Sequence, residues 1–336
     1  MLQDPSHSPR TPRFVQVYRE DATALQRELT QGLLQPQAHC SPKFLYDALG
    51  SRLFEAITEL PEYYPTRTEA AIFAAHGHAM ARVMPADATL IDLGAGNCHK
   101  AAALFDRLRP QRYVAVDISV QFLRSALESL QRQHPALEMW GLGIDFSAGL
   151  ELPADMAQAT AGPRLLFYPG SSIGNFTPDQ ALGFLRSVHA ACGHAPGSGL
   201  LIGVDLVKDA STLEAAYDDA LGVTAAFNLN LLLHLNALLK ADFQLQDWRH
   251  LARYDTHLQR IEMHLQARRS LTVHWQDDSG AARERRFMAG QTLHTENSCK
   301  WTLEGFSGLL QQAGFSGLQH WCDEHERFAV FWAQAR

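Results

Sequence analysis

Residues 89–117 read TLIDLGAGNCHKAAALFDRLRPQRYVAVD, and this stretch decides the fold. An apolar run at 89–93 predicts a strand, Gly94 and Gly96 interrupt it, a helix-like segment extends to Leu108, and residues 113–116 predict a second strand. Two parallel strands joined through a helix form a βαβ unit. Glycine lets the backbone turn sharply and approach a ligand where a side chain would clash. The stretch therefore predicts an α/β fold with a candidate ligand-binding turn at 94–100.

Acidic residues around this unit suggest which ligand it binds. Asp117 comes twenty-three residues after Gly94, where a carboxylate can accept both hydroxyls of a ribose. His99 stands where a dinucleotide-binding loop has its third glycine, so the pattern favours S-adenosylmethionine over a pyrophosphate ligand. Asp145 and Phe146, after the next predicted helix at 119–133, could hold the adenine amine and ring. A structural turn without a ligand is the alternative for the glycines alone.

Composition narrows the class of substrate. The chain has 336 residues, 46% hydrophobic and 19% charged, which is typical of a globular protein with one large or two ordinary domains. Its net charge is −7, whereas a nucleic-acid-binding protein usually carries an excess of basic residues. We therefore expect a small-molecule substrate and no nucleic-acid partner.

Cysteine, histidine and apolar spacing exclude further classes. Five scattered cysteines without a CxxC pair indicate reduced thiols and a cytoplasmic location. Sixteen histidines show no convincing ligand spacing, so we expect no metal. No segment approaches the ~20 apolar residues of a membrane span, and residues 1–19 are expected to form a flexible tail. We expect a monomer.

The rest of the chain supplies further elements around the βαβ unit. An apolar strand from Leu165 ends in a polar loop, 169–175, which should face the same crevice as the glycine turn. Thr177 and Pro178 predict the N-cap and first residue of the next helix. Asn175 stands just before that helix and either offers its amide to a substrate or only forms a turn. Residues 303–313, 318–323 and 328–333 predict a final helix and hairpin.

Two segments outside this core predict a second domain. Residues 20–68 are rich in helix and broken by Pro61 and Pro65, and residues 207–299 are too long for a crossover. The insertion predicts helices at 212–223 and 228–239, and strands at 261–265, 270–275 and 284–287 with a hairpin turn at 277–280. We expect 20–68 with 207–299 to select the substrate, and 69–206 with 300–336 to bind the cofactor.

Several stretches together resemble the bacterial L-histidine Nα-methyltransferases of ergothioneine biosynthesis. The resemblance runs in order from about residue 44 to 300 and covers most of the chain. It rests on FLYDALGSRLFEAITELPEYYPTRTE (44–69), LIDLGAGNCHK (90–100), GSSIGNF (170–176), DLVKDASTLEAAYDDALGVTAAFN (205–228), RIEMHL (260–265) and TENSCK (295–300). It implies a Rossmann-like class I methyltransferase core with a terminal β-hairpin, plus a second α+β substrate-binding domain.

The resemblance also implies site residues and an activity. The family transfers three methyl groups from S-adenosylmethionine to the α-amine of histidine, giving hercynine. The cofactor positions are Gly94, Gly96, Lys100, Asp117, Asp145 and Phe146. The residues holding the amine and carboxylate are Tyr46, Tyr63, Asn175 and Tyr217, with Tyr46, Tyr63 and Asn175 as the catalytic set. Those around the imidazole are Met263, Glu296 and Ser298.

Two departures from the family pattern and several rival functions remain. Asn97-Cys98-His99 replaces small hydroxyl residues and an acid in the cofactor loop, and Asn297 is more polar than the aliphatic residue expected there.

An N-methyltransferase for another amino acid or small amine is the main alternative, and Glu296 with Ser298 argues against it. A methyltransferase acting on a nucleobase or a protein amine is a second alternative, but this chain lacks the Asn/Asp-Pro-Pro-aromatic loop expected of such an enzyme. A dehydrogenase or a non-catalytic sensor could use the same fold.

Overall fold

The computed structural model describes residues 10–17, 21–118, 120–146, 149–150, 152–153 and 162–335. Its largest sheet contains β1 (Arg13–Gln16), β2 (Thr89–Leu93), β3 (Arg112–Asp117), β4 (Glu138–Gly143), β5 (Arg164–Tyr168), β6 (Gly199–Asp205), β12 (Phe315–Cys322) and β13 (Phe328–Ala335). Their order is β1-β4-β3-β2-β5-β6-β13-β12. The pairs from β1 to β6 are parallel, and β13 is antiparallel to β6 and β12. A parallel sheet closed by an antiparallel hairpin confirms the predicted Rossmann-like fold class.

Helices cover both faces of this sheet, which explains why its central strands β2 and β6 are buried along their whole length. They are α3 (Tyr64–Val83), α4 (His99–Ala102), α5 (Phe105–Leu108), α6 (Val120–Gln133), α7 (Pro178–Cys192) and α10 (Leu303–Gln312). Ile91 and Leu93 belong to the core shared with α7 and α10, whereas Leu90 belongs to the core shared with α3, α5 and α6. This alternation along β2 is the two-residue period of a strand.

A second hydrophobic core is built from the N-terminal helices and the long insertion. Its members come from residues 25–64 and 213–293, and its largest buried side chains include Phe243, Trp248 and Phe287. The helices are α1 (Ala22–Leu34), α2 (Ala48–Thr58), α8 (Ala210–Tyr217) and α9 (Val223–Leu239). The strands are β7 (Trp248–Asp255), β8 (Arg260–Ala267) and β11 (Thr292–Cys299) in an antiparallel sheet, and the hairpin of β9 (Leu271–Gln276) and β10 (Ala282–Phe287).

Several sequence predictions need correction. Residues 1–9 and 18–20 lie outside the described residues, but Arg13–Gln16 pair with β4, so the expectation of a flexible tail is wrong there. Pro65 lies in the first turn of α3 instead of breaking a helix, because that turn needs no amide donor at its position. The helix predicted at 212–223 ends at Tyr217, and α9 begins at Val223.

Other predicted elements differ in extent. The helix expected to run to Leu108 is two short helices, α4 and α5. Ser119, at the start of the helix expected at 119–133, lies outside the described residues, and α6 runs from Val120 to Gln133. Strands β7 and β11 were not predicted as strands.

Two absences hold for the described ranges. None of the helices there combines the length and apolar character needed to cross a bilayer. No group of three or more histidine, cysteine and acidic side chains in those ranges could hold a metal ion.

The predicted start of α7 is confirmed, and it gives a test of stability. Thr177 accepts from the Gln180 amide, and the Gln180 side chain accepts from the Thr177 amide, which is a complete capping box. Thr177→Ala should lower the free energy of unfolding by about 1 kcal/mol, measured by urea denaturation. Thr177→Ser keeps the hydroxyl and should stay close to the wild type. Equal stability of all three proteins would show that the cap contributes nothing.

Candidate active site

The turn after β2 contains the glycines that predicted a ligand-binding loop. Gly94 and Gly96 have φ angles of +71° and +51°, in the left-handed region that favours glycine. The amides of Gly94 and Ala95 donate to the Val116 carbonyl oxygen at 2.9 and 3.0 Å. The Gly96 amide donates to Asp117 Oδ2 at 2.9 Å. The loop is therefore tied to the end of β3, with the Asp117 carboxylate at its edge.

Asp145 and Phe146 lie at the same edge of the sheet, just after β4. A Cβ atom at Gly94 would lie only 3.6 Å from Phe146 Cζ, so the Phe146 ring is next to the glycine loop. Lys43 Nζ lies 3.8 Å from Asp145 Oδ2. Because parallel strands end at one edge, β2, β3 and β4 bring the predicted ribose and adenine residues together.

Lys100, the remaining predicted cofactor residue, is engaged by a carboxylate that the sequence did not single out. Its Nζ lies 2.7 Å from Glu69 Oε2, and Glu69 Oε1 accepts from the Gly170 amide at 2.7 Å. The Glu69 side chain is only 1% exposed. A Cβ at Gly203 would approach Glu69 Oε1 to 2.1 Å, so a glycine is needed there. Glu69 thus links the glycine loop to the loop that follows β5.

The unusual residues of the cofactor loop make local contacts. Cys98 adopts a φ of +63° before α4. The Asn97 side chain accepts from the His99 amide at 3.1 Å and donates to Glu55 Oε1 of α2 at 3.3 Å. Asn97 therefore connects this loop to α2, one of the helices that form the second hydrophobic core.

A cavity opens between the second hydrophobic core and the loop that follows β5. Its lining comes from five stretches of the chain: 46–63, 170–175, 216–227, residue 263 and 296–298. All seven residues predicted on the substrate side are among them: Tyr46, Tyr63, Asn175, Tyr217, Met263, Glu296 and Ser298. Ser171 and Ser172 of the predicted polar loop also line it, together with side chains that the sequence did not single out, namely Phe54, Ile57, Ala216, Thr224 and Phe227.

Asn175 reaches the cavity from a short 3-10 helix, Ser172–Asn175, after β5. This helix packs closely on β11, because a Cβ at Gly174 would lie 2.9 Å from the Cys299 carbonyl oxygen and 3.3 Å from Ser298 Oγ. Within the described ranges, the Asn175 side chain makes no hydrogen bond and lines the cavity. Its amide is therefore available to a ligand.

Aromatic rings form one wall of the cavity. Tyr46 lies 5.4 Å from Phe54 and 5.5 Å from Phe227, and Tyr63 lies 6.2 Å from Tyr217, measured between ring centroids in edge arrangements. Burial raises the pKa of Tyr46, Tyr63 and Tyr217 well above the usual value. The three phenols therefore stay neutral, and their rings can attract a cation.

Glu296 reaches the cavity because β11 contains a bulge. The pairing of β11 with β8 shifts between His294 and Glu296, which leaves Thr295 as the extra residue. Before the bulge His294 faces away from the cavity, and His294 Nε2 contacts Asn297 Oδ1 at 3.0 Å. After the bulge Glu296 and Ser298 both line the cavity. The extra residue thus changes which alternate positions of the strand point inward.

The Glu296 carboxyl group is poised to bind a donor. It is 7% exposed, and its Oε2 has no hydrogen-bond partner within the described residues. Burial raises the pKa of Glu296 to about 7, although nearby Lys300 acts to lower it. A buried acceptor without a partner is costly, so this oxygen is available to a donor group of a ligand.

Glu296→Gln should remove a pH-dependent contribution to stability. The ordinary glutamate pKa of 4.5 applies to the unfolded chain, and the raised pKa of about 7 applies to the folded one. Between these values the folded protein binds the extra proton, so this group's stabilising contribution falls as pH rises, by on the order of 3 kcal/mol. Urea denaturation near pH 5 and pH 8 should show that the free energy of unfolding falls more between these two pH values in the wild type than in the variant. The same fall in both proteins would contradict the raised pKa.

An ionic cluster lies directly behind the cavity wall and was not found from sequence. Asp205, at the end of β6, binds Lys208 Nζ through Oδ1 at 2.6 Å and Lys300 Nζ through Oδ2 at 2.8 Å. The Tyr64 hydroxyl donates to the same carboxylate at 2.7 Å. Desolvation opposes ionisation, yet the two lysines hold the pKa of Asp205 below its usual value. The pairing of Asp205 with Lys300 joins residues that are far apart in sequence.

Comparison with known proteins agrees with this arrangement. A family model described as "Histidine-specific methyltransferase, SAM-dependent" matches residues 25–335. The histidine N-alpha-methyltransferase of Mycolicibacterium smegmatis is 39% identical over 314 residues, covering 92% of this chain and 94% of that protein. The histidine N-alpha-methyltransferase of Mycobacterium tuberculosis is 38% identical over 320 residues, covering 93% and 95%. Ergothioneine biosynthesis protein 1 of Neurospora crassa is 33% identical over 220 residues, covering 62% of this chain and 24% of that protein.

Proposed function

This chain belongs to the family of SAM-dependent, histidine-specific methyltransferases, and from that premise we propose that it methylates the α-amine of L-histidine. Three successive transfers give hercynine, the trimethylated betaine of the ergothioneine pathway. The observation that carries the proposal is the cavity itself. It gathers a wall of neutral phenols with an amide and a buried carboxyl oxygen that have no hydrogen-bond partner in the described part of the chain.

The residues at the ends of β2, β3 and β4 fit S-adenosylmethionine. The left-handed glycine turn allows close approach of a ligand. The Asp117 carboxylate would accept the ribose hydroxyls, and Asp145 and Phe146 would contact the adenine. When bound, the cofactor supplies an activated methyl group on a sulfonium that is also the leaving group.

The chain's own residues then have to align the amine and keep it neutral. Alignment of two reactants can supply much of the rate enhancement of a displacement. Asn175 and Tyr63 can accept or share the hydrogens of the amine and so aim its lone pair. As methyl groups accumulate, the nitrogen becomes a fixed cation, which the faces of Tyr46 and Tyr63 can stabilise.

The imidazole end is recognised at two points. Glu296 accepts one ring N–H, and Ser298 serves the other ring nitrogen. A site built on such hydrogen bonds rejects apolar side chains strongly, because its buried polar groups would be left unpaired. Met263 also lines the cavity, and it would pack beside the ring.

The division of labour between two domains is part of the proposal. Residues 20–68 with 207–299 would select the substrate, and 69–206 with 300–336 would bind the cofactor. The separate hydrophobic core drawn from 25–64 and 213–293 supports this division.

Mass spectrometry of histidine incubated with the protein and S-adenosylmethionine tests the proposed function. We expect mono-, di- and trimethylated histidine to accumulate. Calorimetry should detect binding of S-adenosylmethionine and not of NAD. A panel of other amino acids and small amines covers the alternative acceptors. Methylation of one of these in preference to histidine would overturn the proposal.

A further inference from the structure

The ammonium group of Lys300 lies between the ionic cluster and the cavity. Its Nζ lies 2.8 Å from Asp205 Oδ2. It also donates to Ser298 Oγ at 2.7 Å and to the Tyr217 hydroxyl at 3.1 Å. The Lys300 side chain is 0% exposed. Since an ammonium has three donor hydrogens, these three contacts use all of them.

This arrangement limits what the two hydroxyls can do. The Ser298 and Tyr217 oxygens lie 2.7 Å apart, so one of these hydroxyls donates to the other. Both oxygens already accept from Lys300. Each hydroxyl has a single hydrogen, so one hydrogen of the pair is left over, whichever way the bond between them points. Ser298 and Tyr217 both line the cavity, so that hydrogen is available to a ligand there.

We propose that Lys300 is a positioning residue: by donating to both oxygens while the Tyr217 hydroxyl donates to Ser298 Oγ, it fixes the Ser298 hydroxyl as a hydrogen-bond donor toward the substrate ring. The site then offers one acceptor, Glu296, and one donor, the Ser298 hydroxyl. A ring with one N–H and one unprotonated nitrogen satisfies both, whereas a ring with C–H or N–H at the second position leaves the donor unpaired. The inference rests on the proposed function, because the ring in question is the imidazole of histidine.

Lys208 provides a matched control for Lys300. It pairs with the other oxygen of the same carboxylate, Asp205 Oδ1, at 2.6 Å. It also donates to the Tyr64 hydroxyl at 2.7 Å. Lys208 does not line the cavity and makes no hydrogen bond with Ser298 or Tyr217. Replacing either lysine leaves Asp205 with one cationic partner, but only Lys300 touches the hydroxyl pair.

The test compares histidine with the two pyrrolylalanines, in each of which one ring nitrogen is replaced by C–H. Pyrrol-2-yl and pyrrol-3-yl alanine retain the N–H for Glu296 in either ring orientation and lose the accepting nitrogen. The readout is the ratio of kcat/KM for histidine to that for the better pyrrolylalanine. This ratio does not depend on the fraction of folded enzyme, and any change in Glu296 affects both substrates alike. We expect a ratio of at least about 100 in the wild type.

Lys300→Met should lower this ratio by at least about tenfold, because without the ammonium neither hydroxyl hydrogen is held toward the ring, and a C–H there no longer leaves a fixed donor unpaired. Lys208→Met should keep it within about threefold of the wild type. If Lys300→Met does not fold, Lys300→Gln replaces it and should lose discrimination as well, since its amide oxygen can accept from the hydroxyls. An unchanged ratio in the folded Lys300 variant, or an equal fall in Lys208→Met, would overturn the inference. A wild type that does not methylate histidine would instead overturn the proposed function.

Discussion

Asn175→Ala is expected to lower kcat/KM for histidine by at least about 100-fold while leaving S-adenosylmethionine binding intact. Asn175 is held at the cavity by a 3-10 helix whose Gly174 packs on β11, and its amide makes no hydrogen bond within the described part of the chain. Removing it takes away the group that aims the amine and leaves the glycine loop unchanged. Methyl transfer followed by mass spectrometry gives the rate, and calorimetry gives the cofactor affinity.

Thr177→Ala is the matched control for Asn175→Ala. Thr177 follows Asn175 by two residues, caps α7 and does not line the cavity. The Thr177→Ala substitution should lower the free energy of unfolding without lowering turnover per folded molecule. If Asn175→Ala retains wild-type turnover, Asn175 does not belong to the catalytic set. If it loses cofactor binding as well, its effect is on the fold of the loop and not on the amine.

Glu296→Ala is expected to raise KM for histidine by about 100-fold and to shift selectivity toward larger apolar amino acids. The side chain is buried, and Oε2 has no partner within the described ranges, so the site depends on an incoming N–H. Alanine removes the need for an N–H and enlarges a cavity that has one aromatic wall. Competition between histidine and a panel of apolar amino acids, followed by mass spectrometry, measures the change.

Glu262→Ala provides the comparison for Glu296→Ala. Glu262 is also buried, lies on the neighbouring strand β8 and does not line the cavity. Its carboxylate is paired with Arg253 at 2.7 Å and Arg260 at 2.6 Å. Its removal should affect stability and leave selectivity unchanged. Unaltered selectivity in Glu296→Ala would rule out Glu296 as the group that recognises the imidazole.

Sequence motifs were sufficient to identify the family, and the family match over residues 25–335 confirms it. They were less successful with elements whose pattern depends on tertiary contacts. Strand β7 was missed because its burial is irregular along the strand, so no two-residue alternation marks it. The first strand, Arg13–Gln16, was taken as tail because a four-residue edge strand carries little signal of its own.

Within the site, the sequence identified the residues that face a ligand better than those that support them. The seven substrate-side predictions line one cavity, and their roles remain predictions. Glu69, Asp205 and Lys300 were not singled out. Each is buried and charged, and in a sequence a charged residue is more often an exposed one. Their burial is explained only by the oppositely charged side chains that the fold places beside them.

The sequence alone determined the βαβ unit, the glycine turn, the capped helix α7 and the terminal hairpin, because each depends on residues close together in the chain. The tertiary structure decided two further things. The bulge at Thr295 turned Glu296 into the cavity, and a two-residue alternation in the sequence cannot show where a strand gains an extra residue. The fold also paired Asp205 with Lys300 behind the cavity wall. A charge this deeply buried is tolerated only when an opposite charge is buried beside it, which is a property of the packed structure and not of either segment.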